Sequence, residues 1–375
     1  MTSAAVQHPG EVRWETRLLA VVTAILVAFG LATLYSAASF GSGATEVLKQ
    51  ISAAAIGSIL LAVASRVDYH RWRDWSWWLL GFTAFLLLVV VLPMTLDIAP
   101  RINGARRWIR VPGGSFQPSE LARFAMVVWA ASIAAKKGER IREFKKGMVP
   151  VLLITGGIAA LVLIEPNLSM ATIIVLLGGV VLFAAGAKIG QFLVLFVVGV
   201  FGGIAAIMAK EYRFERLKCF LGLAGDCETA TRWQIEQATM GFASGRFFGV
   251  GFGEGQLKMD YLPEAPSDFL LSTIGEEWGF LGVVFLVILF GLFCWLGFRI
   301  ARTAADPFGQ YLATGLTASV GITALMHMAV NTELMPTTGL ALPLMSAGRS
   351  SMMVTLLAVG VLINVGRMRG RAGVR

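Results

Sequence analysis

The chain has 375 residues, of which 56% are hydrophobic and only 15% charged, whereas a soluble domain carries about 25% charged residues. With a mean hydropathy of +0.72, this balance excludes a soluble fold and predicts an all-α integral membrane protein, since the alternating segments of a membrane β-barrel are absent. The 32 Lys and Arg against 23 Asp and Glu leave a net charge of +9, which in a membrane protein points to cytoplasmic loops and not to nucleic acid.

The pattern predicts a single polytopic domain over 1–375. Residues 1–17 read as a charged cytoplasmic N-terminus, and the apolar run after them is too long for the core of a cleavable signal peptide. Apolar runs then predict ten transmembrane helices, at 18–38, 46–65, 75–96, 118–135, 148–164, 168–187, 189–209, 269–298, 307–330 and 350–366. Most approach the about 20 residues needed to cross the hydrocarbon core. An even number puts both termini on one side. Arg66, Arg71 and Arg73, the cluster from Lys136 to Lys146, Lys188, Arg299, Arg302 and the basic tail 367–375 make that side cytoplasmic. Trp72, Trp75, Trp77 and Trp78 suit the interfacial belt at the start of the third helix.

Two loops on the opposite side are basic. The loop 97–117 holds Arg101, Arg106, Arg107 and Arg110, which fits a basic cavity for an anionic ligand and equally fits contact with lipid phosphates. The large extracytoplasmic loop 210–268 lies between helices 7 and 8. Within it, Trp233, Ile235, Ala238 and Phe242 have the spacing of a short amphipathic helix. Gly249, Gly251, Gly253 and Gly255 follow, without the strand and helix of a dinucleotide site. They predict close backbone approach or a re-entrant turn. Cys219 and Cys227, in the same loop, are expected to form a disulfide; the three cysteines show no metal-ligand spacing with histidine.

Four groups of residues carry candidate chemistry. Glu120 and Arg123 share a face of the fourth helix, as an embedded ion pair or as part of a site. Glu165 and Pro166, between two helices, read equally as a tight turn and as part of a site. Asp260, Glu264 and Asp268 gather just before the eighth helix, where Asp268 reads equally as an N-cap and as a functional carboxylate. Between Asn331 and Ser351, Pro336, Gly339 and Pro343 preclude a continuous helix, and a broken segment at membrane depth lines a cavity. Glu276 and Glu277, inside the eighth helix, need buried partners, with Arg349 a candidate.

Together these stretches resemble the FtsW/RodA family, the shape, elongation, division and sporulation proteins. NGARRWI (103–109), QPSEL (117–121), EPNL (165–168), GVGFGEGQLKMDYLPEAPSDF (249–269), IGEEWGFLG (274–282) and PTTGLALPLMSAGRSS (336–351) occur in the family's order, nearly from end to end. The Glu of EPNL and the Thr-Thr of PTTGL are closer to the FtsW branch. The resemblance implies a ten-helix fold and a glycosyltransferase that polymerises lipid II in the bacterial inner membrane, at the division septum, beside a class B penicillin-binding protein and other divisome proteins. Its essential acid falls on Asp268, a second loop acid on Asp260, and the Glu and Lys of its QPSE-x-x-K motif on Glu120 and Arg123. Arg at 123 keeps the charge but not the compact geometry of Lys. This chain departs from the family at Asn167 (Asp), Pro266 (His), Glu333 (Gly) and in the stretch Ala347–Ser351.

The expected mechanism uses Asp268 as general base on the acceptor hydroxyl. Arg106, Arg107, Glu120, Arg123, Lys258, Asp260, Glu264, Ser350 and Ser351 are the expected substrate-binding residues. A divalent cation such as Mg2+ is an option that the sequence does not establish. Asp268 is expected in a polar cavity with Glu120, Arg123 and at least one of Arg106, Arg107 and Lys258. The eighth and ninth helices are the expected docking face for the transpeptidase. A flippase for the lipid-linked precursor and a non-catalytic divisome scaffold are the alternatives.

Overall fold

The computed structural model describes residues 14–37, 43–92, 98–101, 105–111, 114–221, 229–257, 262 and 265–368. Twelve α-helices and one β-hairpin are formed among them. In chain order these are α1 (Trp14–Ala37), α2 (Gly43–Ala64), α3 (His70–Val91), β1 (Ile109–Val111), β2 (Gly114–Phe116), α4 (Pro118–Lys137), α5 (Val149–Ile164), α6 (Leu168–Ala184) and α7 (Ile189–Met208). The short α8 (Glu211–Phe220) and α9 (Thr229–Gly245) follow, then α10 (Leu270–Arg302), α11 (Pro307–Asn331) and α12 (Arg349–Met368).

Helices occupy each of the ten predicted segments, and α9 covers the predicted amphipathic stretch. Among the described residues, seven helical stretches are long and apolar enough to cross a membrane: α1, α2, α3, α10, α11, α12 and Phe144–Ile164, which contains α5. Two of the remaining predicted segments differ for physical reasons. α4 is buried on nearly every side, against α3, α6 and α11, and so carries Glu120 and Arg123 where a lipid-facing helix would carry Leu or Ile. α6 has only 17 residues. The third helix starts at His70, five residues earlier than its apolar run, because Trp72 and Trp75 continue the helix into the polar boundary.

The core runs through α4, α11 and α12. α12 lies directly on α2, where Gly360 allows contact: a Cβ there would sit 2.5 Å from the carbonyl oxygen of Leu61. The antiparallel hairpin, with Ile109 opposite Phe116, Arg110 opposite Ser115 and Val111 opposite Gly114, was not anticipated. The Pro-Gly at 112–113 is a turn signal that could have revealed it.

α10 is interrupted at Gly279, whose φ of 64° and ψ of −161° are not helical. Phe280 and Leu281 donate their N–H groups to the carbonyls of Arg246 (2.9 Å) and Phe247 (3.2 Å) instead of to the preceding turn. The carbonyls of Glu276 and Glu277, left without those donors, accept from Val250 (2.9 Å) and Gly251 (3.2 Å). The exchange satisfies every freed group, as backbone away from water requires. It also explains Gly249, since a Cβ there would lie 2.2 Å from the Glu277 carbonyl oxygen.

The expected Cys219–Cys227 disulfide is not seen: Cys219 is a free thiol, and Cys227 lies outside the described residues. Glu333, which occupies a position the resemblance assigns to Gly, has φ of +59°. Its carboxylate accepts a hydrogen bond from the Thr239 hydroxyl of α9. A left-handed non-glycine residue costs about 1–2 kcal/mol, while a hydrogen bond contributes about 0.5–1.5 kcal/mol. Glu333→Gly relieves the strain as it loses the bond, and Glu333→Ala loses the bond and keeps the strain. Thermal melts of the purified protein should therefore rank Ala below Gly; the reverse order would contradict this account.

Candidate functional site

Asp268 immediately precedes Phe269, the N-cap residue of α10, which makes no side-chain cap hydrogen bond. Asn331, the last residue of α11, serves that helix end from outside. Its Oδ1 accepts from the N–H (3.3 Å) and the hydroxyl (3.0 Å) of Ser272, and its Nδ2 donates to the carbonyl of Asp268 (3.0 Å). The half-buried Asp268 carboxylate lies against the backbone of Gly339, where an added Cβ would meet its Oδ2 at 3.3 Å. The end of α11 thus fixes the main chain at Asp268, and the loop after α11 faces its side chain.

That loop, 336–348, has irregular backbone held by side chains of the surrounding helices. The Gln50 amide of α2 donates to the Ser346 carbonyl (2.9 Å) and accepts from Gly348 N–H (3.2 Å). Ser169 of α6 donates to the Thr338 carbonyl (3.2 Å), and the buried His327 ring pairs with the Leu340 carbonyl at 2.6 Å. Ala347 N–H donates to the Pro266 carbonyl (2.9 Å), joining the loop to the residues before Asp268. Proline at 266 supplies this acceptor as well as histidine would. Such cross-helix satisfaction makes broken backbone tenable inside a bundle.

Glu120 and Arg123 form an ion pair of 3.0 Å inside the bundle, 6% and 2% exposed. The guanidinium also donates to Thr323 of α11 (2.9 Å) and Thr355 of α12 (3.3 Å). The contact with Glu120 is close but not a linear hydrogen bond, since Glu120 Oε2 has no hydrogen-bond partner. These side chains stitch α4 to α11 and α12 beneath the site and do not line an open surface.

Arg106 donates to the Leu92 carbonyl (3.2 Å). Arg107 donates to the carbonyls of Glu165 (3.3 Å) and Pro166 (2.5 Å), clamping the turn between α5 and α6. Glu165 itself is 2% exposed, and neither carboxylate oxygen has a hydrogen-bond partner. Burial pushes its carboxyl up to about 8 and the Arg107 guanidinium partly offsets this, so the group is mostly protonated at neutral pH. Asn167 caps α6, its Oδ1 accepting from Met170 N–H at 3.2 Å, a role an Asp would fill equally well.

Ser350 and Ser351 are both buried in the first turn of α12, where the Ser350 hydroxyl accepts from Gln117 N–H (2.9 Å) at the start of α4. Arg349 reaches over Gly114 of the hairpin and donates to the Ser115 hydroxyl (3.4 Å). Glu276 takes backbone partners instead, from Gln256 and Leu257, and Glu277 accepts from the Ser36 hydroxyl of α1. Lys258, Asp260 and Glu264 lie outside the described residues. Among the described residues no group of three or more His, Cys, Asp or Glu could hold a metal ion.

The structure thus brings Asp268, the 336–348 loop and the Asn331 end of α11 together, with Ser169 linking the α5–α6 turn to the same loop. It sets Arg123 and Glu120 deeper, among hydroxyls. Sequence reasoning missed Asn331, Gln50 and Glu276 as organisers of the site. Each is a polar residue in or beside an apolar stretch, and that was the available signal.

Fold and site define a polytopic helical membrane protein with a carboxylate held at a broken helix end. The family model described as "Cell cycle protein", for FtsW, RodA and SpoVE, matches residues 12–370, and the chain belongs to that family. It is 40% identical over 362 residues to a probable peptidoglycan glycosyltransferase FtsW of Geobacter sp. (strain M18), covering 95% of this chain and 98% of that one. It is 35% identical to the stage V sporulation protein E of Bacillus subtilis (strain 168), covering 93% and 96%. Among solved structures it resembles a chain of a peptidoglycan synthase complex that coordinates polymerization and crosslinking (TM-score 0.78, 26% identity, 94% and 97% covered). It also resembles the rod shape determining protein RodA of Thermus thermophilus (TM-score 0.70, 26% identity, 94% and 96% covered).

Proposed function

We propose that this chain is a peptidoglycan glycosyltransferase that polymerises lipid II. The observation that carries the reading is the Asp268 carboxylate, set against Gly339 of the broken loop at one end of the bundle, in a chain whose relatives are named for that activity. Asp268 takes the proton of the acceptor sugar's 4-hydroxyl. The oxygen attacks the anomeric carbon of the donor, the bond from that carbon to the pyrophosphate oxygen breaks, and undecaprenyl pyrophosphate leaves. Charge growing on the leaving group calls for cations; Arg106, Arg107 and Lys258 are the candidates, because Arg123 is engaged inside the bundle.

In this reading α1 to α7 and α10 to α12 are ten membrane crossings, α8 and α9 belong to a large extracytoplasmic loop, and both termini are cytoplasmic. The protein acts at the septum in the inner membrane beside a class B penicillin-binding protein. The exposed apolar residues Phe285 and Ile288 of α10 and Leu325 of α11 suit a single transmembrane helix of that partner. Purified full-length protein given labelled lipid II should produce glycan strands. Transbilayer movement of lipid II without strands would make it a flippase, and neither result would make it a scaffold.

A further inference from the structure

We infer that Glu276 is a positioning residue for Asp268, an inference that rests on the glycosyltransferase reading above. Glu276 lies about two turns into α10 and is 4% exposed. Its Oε1 accepts the N–H of Gln256 (2.8 Å), its Oε2 that of Leu257 (3.2 Å), and its main-chain carbonyl that of Val250 (2.9 Å). One residue of α10 therefore holds the incoming segment at both ends of 250–257. Gly255 is demanded by the same contact, since a Cβ there would sit 2.7 Å from Glu276 Oε2.

The held segment reaches Asp268 through packing. Leu257 shares a small core with Leu262, Ala265 and Phe269, closed by Ala238 of α9. Leu262 N–H donates to the Leu257 carbonyl (3.3 Å) and Ala265 N–H to that of Leu262 (3.2 Å). Phe269 is the residue next to Asp268. Asn331 holds the Asp268 carbonyl from α11, so the carboxylate is set between two brackets, one from α11 and one anchored on Glu276. A reacting group moved by about 1 Å can lose about 10²-fold in rate, which makes a remote bracket kinetically visible.

Two substitutions disturb the contact from opposite sides. Glu276→Gln keeps the size but turns an amide NH2 toward a backbone N–H. Gly255→Ala keeps the carboxylate and pushes it away. Both are assayed as purified full-length proteins with labelled lipid II, with Asp268→Asn in parallel and gel filtration as the check on folding. The expected result is a fall in kcat of about 10- to 100-fold, with KM for lipid II held within about threefold, in whichever of the two variants is monodisperse. A folded variant with kcat within about threefold of the parent, alongside an inactive Asp268→Asn, would overturn the role of Glu276 and leave the catalytic reading standing. Full activity in Asp268→Asn would overturn the catalytic reading, and Glu276 with it. A rise in KM with unchanged kcat would assign Glu276 to substrate binding and would also overturn the inference.

Discussion

Asp268→Asn should insert and fold like the parent and lose lipid II polymerisation by at least ~10²-fold, the low end for removal of a general base. The structure sharpens this expectation. The N-cap of α10 is Phe269, and Ser272 of the first turn is served by Asn331, so helix capping does not hang on Asp268. Asparagine is nearly isosteric with aspartate and would keep the contact with Gly339. Loss of activity would then follow from the missing basic oxygen. The measurement is the rate of glycan formation, with the thermal melt of each protein beside it; near-parental rates in the variant would return Asp268 to a structural role.

Arg123→Met should destabilise the bundle by about 3–5 kcal/mol, because it leaves Glu120 buried without its cation. The loss should appear as a lower melting temperature in detergent, and as less protein recovered from membranes. Replacing both members, as Glu120→Gln with Arg123→Met, removes the uncompensated charge and should recover most of that stability, since buried ion pairs often exchange for neutral groups with little change. The double variant separates packing from function. If it is stable and polymerises lipid II normally, the pair only fixes α4 against α11 and α12. If it is stable and inactive, the pair serves the reaction from beneath the site. Failure of the double variant to recover stability would show that the hydrogen bonds from Arg123 to Thr323 and Thr355 matter more than the charge balance.

Much of the architecture was legible because lipid imposes a simple rule: apolar runs of sufficient length become helices whose polar backbone is satisfied internally. Helices accordingly lie in each of the ten predicted segments. The same rule misjudged α3, whose tryptophans extend the helix beyond its apolar run. It also gave no sign that α4 faces protein where other helices face lipid. The glycines near 249 were readable as points of close approach, but their partner, the break at Gly279, was not, because glycine in an apolar helix signals packing as readily as interruption. Glu333 was visible only as an odd residue; its φ of +59° supplies the reason a glycine would suit that position.

By itself, then, the sequence determined the membrane class, the helical segments, the family motifs and Asp268 as the acid to test. Those are matters of composition, local periodicity and residue order. The tertiary structure alone decided who holds what. Arg123 is turned inward to Thr323 and Thr355, Ser350 is engaged by Gln117, and Asn331 takes the helix end where Asp268 had seemed an equal candidate. Each depends on a partner between 59 and 233 residues away. Side-chain chemistry fixes what a group needs, but only the packing of distant helices determines which donor or acceptor arrives to meet it.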